Sequence, residues 1–546
     1  MVAEPQDRRV DRRAFLARMG ALGAAAALGT PLEASASSAL QRPAGGLRVP
    51  DSAAEFWRDG IRTAHSAAGS PAELTATEAG ARIREGTLDP GELLEACIDR
   101  IARWDDRYMA FNLVAADEAR ATTARLGPDA GLLHGIPLAI KDNYYTRGLR
   151  TTANSHIFRD FVPEFDAEAV RRLRAAGGIV LGKTQMGPLA TTRALTPDGE
   201  ITTVNAWTPE NPSVSPGGSS SGSATAVASR MALSSIGTQT GGSITVPSLA
   251  QGLTGLKPTM GRVSLHGVIP LTYSRDHPGP IARDARDAAL LLQAMAGPDP
   301  ADPRTLGLPG VADYLAAAIP VGEGSANRLR WPTRVGVLPD WADGDDPAAS
   351  GRRAFLREIE AAGAELVEVT PSERWSELSS FLFNAVRLPE RTEPFLEHLR
   401  DDVRLFGVSL NSWMQGLFLS ADEYLKGQRA RHALLAATLD EIFDRCDVVV
   451  QTGHVPFDMI GLPLIALPTG HRATDDGPRP HGILLGAPPF GEERLLSVAA
   501  AWQARTEHHR VRPPNLDDGR EARTPRGRPR ADRGRLSAEE VEERSE

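Results

Sequence analysis

Short apolar runs separated by capped, amphipathic stretches constrain this chain's fold more than any other feature. Asp89 stands before Pro90, and Leu93, Leu94, Cys97, Ile98 and Ile101 recur on one helical face, so a helix is predicted from Asp89 onward. Gly135-Ile-Pro-Leu-Ala-Ile140 reads as a buried strand with Lys141 at its end. Asp166 to Ala176 predicts a second capped helix, Gly177-Gly178 ends it, and Ile179-Val180-Leu181 predicts the next strand. Further helices are predicted at 281–296 and 352–362, with strands at 335–338, 448–450, 464–467 and 483–485. Helices alternating with short apolar strands call for an α/β fold around a largely buried sheet.

Composition excludes several function classes. The 546 residues carry a net charge of −9, so no basic footprint calls for nucleic acid. Two cysteines, Cys97 and Cys446, form neither a metal cluster nor a disulfide framework, and both sit in apolar segments suited to core packing. Residues 1–38 read as a targeting segment: Asp11-Arg12-Arg13-Ala14-Phe15-Leu16 fits a twin-arginine signal, an apolar run spans 19–29, and Ala34-Ser35-Ala36 is a suitable cleavage point. Export to the periplasm or beyond is therefore expected. The aromatics Phe381, Phe383, Phe395, Phe406, Trp413 and Phe418, in a mostly helical stretch, are expected mainly in the core. From about Pro513 the chain is rich in arginine, proline and glutamate, and is expected to remain disordered.

Between Ser215 and Ser243 lie two glycine/serine loops separated by an alanine-rich segment. Gly218-Ser219-Ser220-Ser221-Gly222 matches a nucleophile elbow literally, but Pro209, Pro212 and Pro216 would break the strand an elbow needs. A phosphate-binding loop needs a lysine after its glycines, and none lies between Lys183 and Lys257. A third reading uses lysine as the base. Of 61 basic residues only four are lysines (Lys141, Lys183, Lys257 and Lys426), so each stands where arginine has not replaced it. A lysine can deprotonate a serine only if burial or neighbouring positive charge destabilises its ammonium. Lys141, at the end of an apolar strand, is placed for that, and two serines beside glycines suggest a relay to it.

At these residues the chain resembles the amidase signature family, whose hallmark is a Ser–cis-Ser–Lys triad. The matching segments are His134-Gly-Ile-Pro-Leu-Ala-Ile-Lys141-Asp-Asn, Pro216-Gly-Gly-Ser219-Ser and Thr240-Gly-Gly-Ser243. Further likeness runs through Gly182-Lys183-Thr, Gly255-Leu-Lys257-Pro-Thr, Gly461-Leu-Pro and Pro489-Phe-Gly-Glu, covering roughly residues 70 to 512. Residues 39–69 would then be a lead-in segment and 513–546 a charged tail.

The resemblance implies a single α/β/α domain around a mixed, mostly parallel sheet. It implies hydrolysis of a carboxylic amide to carboxylate plus ammonia or amine. Lys141, Ser219 and Ser243 would be the catalytic residues, with amides at Thr240, Gly241, Gly242 and Ser243 holding the oxyanion. Gln185, Met186, Gly187, Gly218 and Gln239 are candidate substrate-binding residues. No cofactor or metal is implied. The expected partners are a small-molecule amide and, at most, a second copy of the chain; neither nucleic acid nor, once the signal is removed, a membrane is among them. Two alternatives remain on the same fold: the glutamine-hydrolysing component of a tRNA-dependent amidotransferase, and a non-catalytic binding protein. The chain departs from the commonest pattern at Ser221, where glycine is usual, at Gln239, where Asp is frequent, at Thr245, where Arg is frequent, and at Gln185-Met186-Gly187.

Overall fold

A computed structural model describes residues 50–63, 69–128, 131–322, 326–381, 383–514 and 534–543. The expected export signal lies outside the described residues. The strands are β1 (Phe111–Val114), β2 (Pro137–Lys141), β3 (Ile179–Thr184), β4 (Ser234–Gln239), β5 (Thr254–Lys257), β6 (His277–Ala282), β7 (Thr333–Val337), β8 (Ala364–Glu368), β9 (Val448–Gln451), β10 (Leu464–Arg472) and β11 (Arg479–Gly486). They join in one sheet, ordered β1-β3-β2-β4-β6-β5-β10-β11-β9-β7-β8.

The sheet is mixed, as expected, but the balance differs from "mostly parallel". Four ladders are parallel: β2–β3, β2–β4, β7–β8 and β7–β9. Six are antiparallel, including the β10–β11 hairpin and β6, which runs against both β4 and β5. Parallel pairing is thus confined to two patches, and the centre is antiparallel. Every residue of β2, β3, β4, β5, β6 and β9 is buried. Sequences covered on both faces show no polar alternation.

The helices that matter for the site are α1 (Pro90–Tyr108), α2 (Glu168–Ala175), α3 (Ser221–Ala228), α4 (Thr245–Gln251), α5 (Ala285–Met295) and α6 (Pro347–Ala361). Asp89 caps α1 as expected, its Oδ1 accepting the N–H of Gly91 at 2.8 Å. Asp166 does not cap α2; it accepts Arg147 N–H instead, at 2.8 Å. The helix predicted from Ile281 starts later. Ile281 and Ala282 belong to β6, and Asp284 caps α5 by accepting the Asp287 N–H. All eight residues of α3 are buried, which its Ser, Gly, Ala, Thr and Val composition permits, since small side chains let the sheet approach from every side.

Both cysteines are unpaired and buried. Burial pushes the Cys97 thiol up to about 12 and the Cys446 thiol up to about 11, which keeps them protonated and inert. Phe395, Phe406 and Trp413 form one apolar cluster with Met186 and Leu189. Phe418 is 79% exposed, contrary to expectation, because the short turn that holds it buries none of its residues. The side chains of Phe381 and Phe383 lie outside the described set. No described helix is long and apolar enough to cross a membrane.

The tail is not wholly without structure. Arg535 bridges Glu200, Leu536 N–H donates to Gly199 O at 2.8 Å, and Leu536 is buried against Leu195, Ile201 and Val408. Leu536, in a mostly polar tail, is enough to dock this stretch when an open backbone edge is offered. Leu536→Asp would place a charge in that cluster, and the expected outcome is faster tryptic cleavage at Arg535, read by mass spectrometry against the unaltered chain.

Candidate active site

The parallel neighbours β2 and β4 end side by side, and the polar residues of interest leave from their carboxyl ends, where open α/β sheets bind ligands. Lys141 is the last residue of β2 and is fully buried. Its Nζ donates to Ser219 Oγ at 2.8 Å, to Thr238 Oγ1 at 2.8 Å and to Thr238 O at 3.2 Å. Burial lowers its pKa from 10.5 to about 7, against an opposing pull from Asp276. That displacement corresponds to roughly 5 kcal/mol in favour of the neutral amine.

The other lysines separate cleanly. Lys183 is buried but pairs with Asp142 at 3.3 Å, and Lys257 is buried beside Asp458 at 3.6 Å. Each is held near 8 by burial, offset by its carboxylate. Lys426 is exposed and pairs with Asp422. Of the four, Lys141 is the one joined to a serine.

Ser219 is buried, follows a cis peptide from Gly218, and precedes α3. Ser243 follows β4 by four residues, precedes α4 and is 5% exposed. The remaining serines of the stretch shape the loop. Ser221 Oγ donates to Gly217 O at 2.7 Å and accepts Ala194 N–H at 2.8 Å, while Ser223 bonds Thr184 at 2.8 Å.

The loop at 240–243 is tied down from three directions. Thr240 Oγ1 donates to Asp276, and Arg275 donates to Thr240 O at 3.0 Å. Gly242 N–H donates to Asp458 Oδ2 at 2.8 Å. The N–H groups of Ile244 and Thr245 both donate to Gln239 Oε1 at 2.9 Å, and Gln239 Nε2 donates to Asp458 Oδ1 at 2.8 Å. Gly242 therefore leaves the expected oxyanion set, because its amide is already committed to a carboxylate. Among the described residues, the N–H groups of Gly241 and Ser243 have no acceptor in the protein.

The candidate substrate residues fall into different places. Gln239 points into the hydrogen-bond lattice just described and is fully buried. Met186 is buried in the aromatic cluster. Gly187 and Gly218 act through backbone: Gly187 N–H donates to Ser219 O at 3.1 Å, and a Cβ on Gly187 would stand 2.0 Å from Thr192 O. Gln185 accepts from Asn154 at 2.6 Å and lines a cavity of about 430 Å³ with Asn112, Arg150 and Asp198, whose wall includes neither Ser219 nor Ser243. Sequence reasoning missed Thr238, which holds the amine of Lys141, and Asp276 and Asp458, which hold the loop. Thr238 and Asp276 carry no local motif; their roles come from strand pairing. No described cluster of side chains is arranged to hold a metal.

Comparison with known proteins places these features. The model of the Amidase family matches residues 92–452. The chain is 33% identical to a glutamyl-tRNA(Gln) amidotransferase subunit of Chromohalobacter salexigens, over 81% of this chain and 98% of that one. It is similar to the solved structure of the native peptide amidase from Stenotrophomonas maltophilia, with a TM-score of 0.65 and 30% identity, covering 83% of this chain and 99% of the other. The corresponding glutamyl-tRNA(Gln) amidotransferase structure from Thermotoga maritima shares the fold at a TM-score of 0.61 and 24% identity, over 79% and 94% of the two chains.

Two outcomes are expected from this geometry. If Lys141, its pKa lowered to about 7 by burial, is the proton acceptor, kcat/KM should fall about tenfold per pH unit below 7 and level off above it, and Lys141→Arg should lower it by roughly 10²–10⁴. Gln239→Glu, which keeps the shape but turns a carboxylate toward Asp458 Oδ1, should destabilise the protein by about 2–3 kcal/mol in chemical denaturation.

Proposed function

Because the chain belongs to the Amidase family, we propose that it cleaves a carboxamide C–N bond through an acyl-enzyme on Ser243. The observation that supports this most is the buried amine of Lys141 hydrogen-bonded to Ser219 with no paired carboxylate. In this reading neutral Lys141 takes a proton from Ser219 as Ser219 takes one from Ser243, and Ser243 Oγ attacks the carbonyl carbon. Amides of Thr240, Gly241 and Ser243 receive the oxyanion, a role worth about 2.7–4 kcal/mol per donor. The proton returns through Ser219 to the departing nitrogen, and water releases the acid.

Two readings share that chemistry and differ in the amide. The relatives named for the glutamyl-tRNA(Gln) amidotransferase, matched over 98% of their length, favour a glutamine-hydrolysing component that works with partner chains. The likeness to a peptide amidase, and the twin-arginine pattern at 11–16, support a free-standing, exported amidase. A non-catalytic binding protein is disfavoured, since Lys141, Ser219 and Ser243 are all retained.

Ammonia release from L-glutamine, set beside release from aliphatic, aryl and peptide carboxamides, distinguishes the two. Preference for glutamine, rising when partner chains are added, identifies the amidotransferase component. Preference for another amide, together with export that is lost on changing Arg12 and Arg13 to Lys, identifies the exported amidase. In either case Ser243→Ala should abolish labelling by a fluorophosphonate probe and Ser219→Ala should slow it; retained labelling of Ser243→Ala would refute the nucleophile assignment.

A further inference from the structure

The nucleophile loop leans on a histidine that the serine–serine–lysine relay does not use. His454 stands at the start of α7 (Val455–Ile460), with its side chain 24% exposed. One turn on, Asp458 is fully buried. Oδ2 of Asp458 is 2.8 Å from His454 Nδ1 and also accepts the N–H of Gly242 at 2.8 Å. Burial alone would raise the pKa of Asp458, but its hydrogen bond and electrostatic interaction with His454, together with the charges of Lys257 and Arg275, hold it near 2, so its carboxylate is ionised. An ionised carboxylate only accepts hydrogen bonds, so the shared proton sits on Nδ1, and Nε2 is the ring nitrogen left facing away from Asp458. Nε2 lies 2.7 Å from the point a Cβ on Gly242 would occupy, and Gly242, with φ +81°, immediately precedes Ser243. A carboxylate that fixes one imidazole nitrogen and leaves the other beside the residue preceding a nucleophile is an arrangement suited to a general base.

We propose that His454, oriented by Asp458, is the general base that activates the water hydrolysing the acyl-enzyme on Ser243. The proposal rests on the reading of Ser243 as nucleophile. Nε2 takes one proton from water while the water oxygen forms its bond to the acyl carbon. The tetrahedral adduct then breaks its bond to Ser243 Oγ, which recovers that proton from Nε2, and the carboxylic acid departs. Ester plus water thus gives acid plus serine, with no other reactant. Burial explains why a second base is useful. Lys141 and Ser219 are wholly buried, whereas the His454 side chain is 24% exposed.

The test is stopped-flow hydrolysis of 4-nitrophenyl butyrate by the full chain, with mass spectrometry of quenched samples. His454→Asn keeps an N–H able to reach Asp458 but has no base at the Nε2 position. The expected result is that His454→Asn releases about one equivalent of nitrophenolate at the wild-type rate and then stalls. Its steady-state turnover should be lower by roughly 10²–10⁴, with butyryl-Ser243 accumulating. His454→Ala should regain turnover on addition of imidazole. Turnover of His454→Asn within threefold of wild type would reduce His454 to an anchor for the loop and overturn the proposal. So would a folded His454→Ala, checked by circular dichroism, that gains nothing from imidazole. Absence of any adduct on Ser243 in every variant would instead bring down the acyl-enzyme reading beneath it.

Discussion

A lysine amine removed from water and given no counter-charge is the constraint around which the centre of this fold is arranged. Lys141 is the last residue of a strand buried at every position, between two parallel neighbours, so no rotamer returns it to solvent. Burial keeps it in its neutral form, while its Nζ donates to the Ser219 hydroxyl and to Thr238. A buried carboxylate in contact would restore the ammonium, as the pairings of Lys183 and Lys257 illustrate. The charge that acts on Lys141, Asp276, is turned to Thr240 and to the amides of Leu271 and Thr272.

The second requirement is a loop that can present backbone amides without collapsing onto them. Glycines at 241 and 242 give the freedom, and a set of side chains takes the excess away. Asp458 is the centre of that set, binding Gly242, Gln239 and His454. It explains why an uncharged residue suits position 239: the carboxylate is already present from α7, and a second one would face it at hydrogen-bond distance. Thr245, meeting Gln239 Oε1 at 3.2 Å, completes a neutral pair there.

Much of the outer architecture is legible in the chain. Asp89 and Pro90 announce α1, and the apolar runs at β2, β3, β9, β10 and β11 announce their strands, because burial on both faces writes itself as continuous hydrophobicity. The strands β4, with Ser234, Ser235 and Thr238, and β6, with His277 and two prolines, are not legible. Several of their polar groups find partners far along the chain, as when Ser235 Oγ donates to Ala139 O at 2.7 Å. Residues 534–543 escape the disorder their composition predicts for the converse reason: composition reports what a segment can bury alone, not the edge it can borrow.

For the site, sequence alone determined the chemical types and their order: a lysine retained against an arginine bias, and two serines framed by glycine, 24 residues apart at 219 and 243. Those choices are local, since each depends on what one side chain can donate or accept. Tertiary structure decided which lysine was stripped of its counter-charge and which amides stayed open. It also decided that a carboxylate more than 200 positions away would hold the loop. Burial and ion pairing are properties of surroundings, and no single segment of the chain contains its own surroundings.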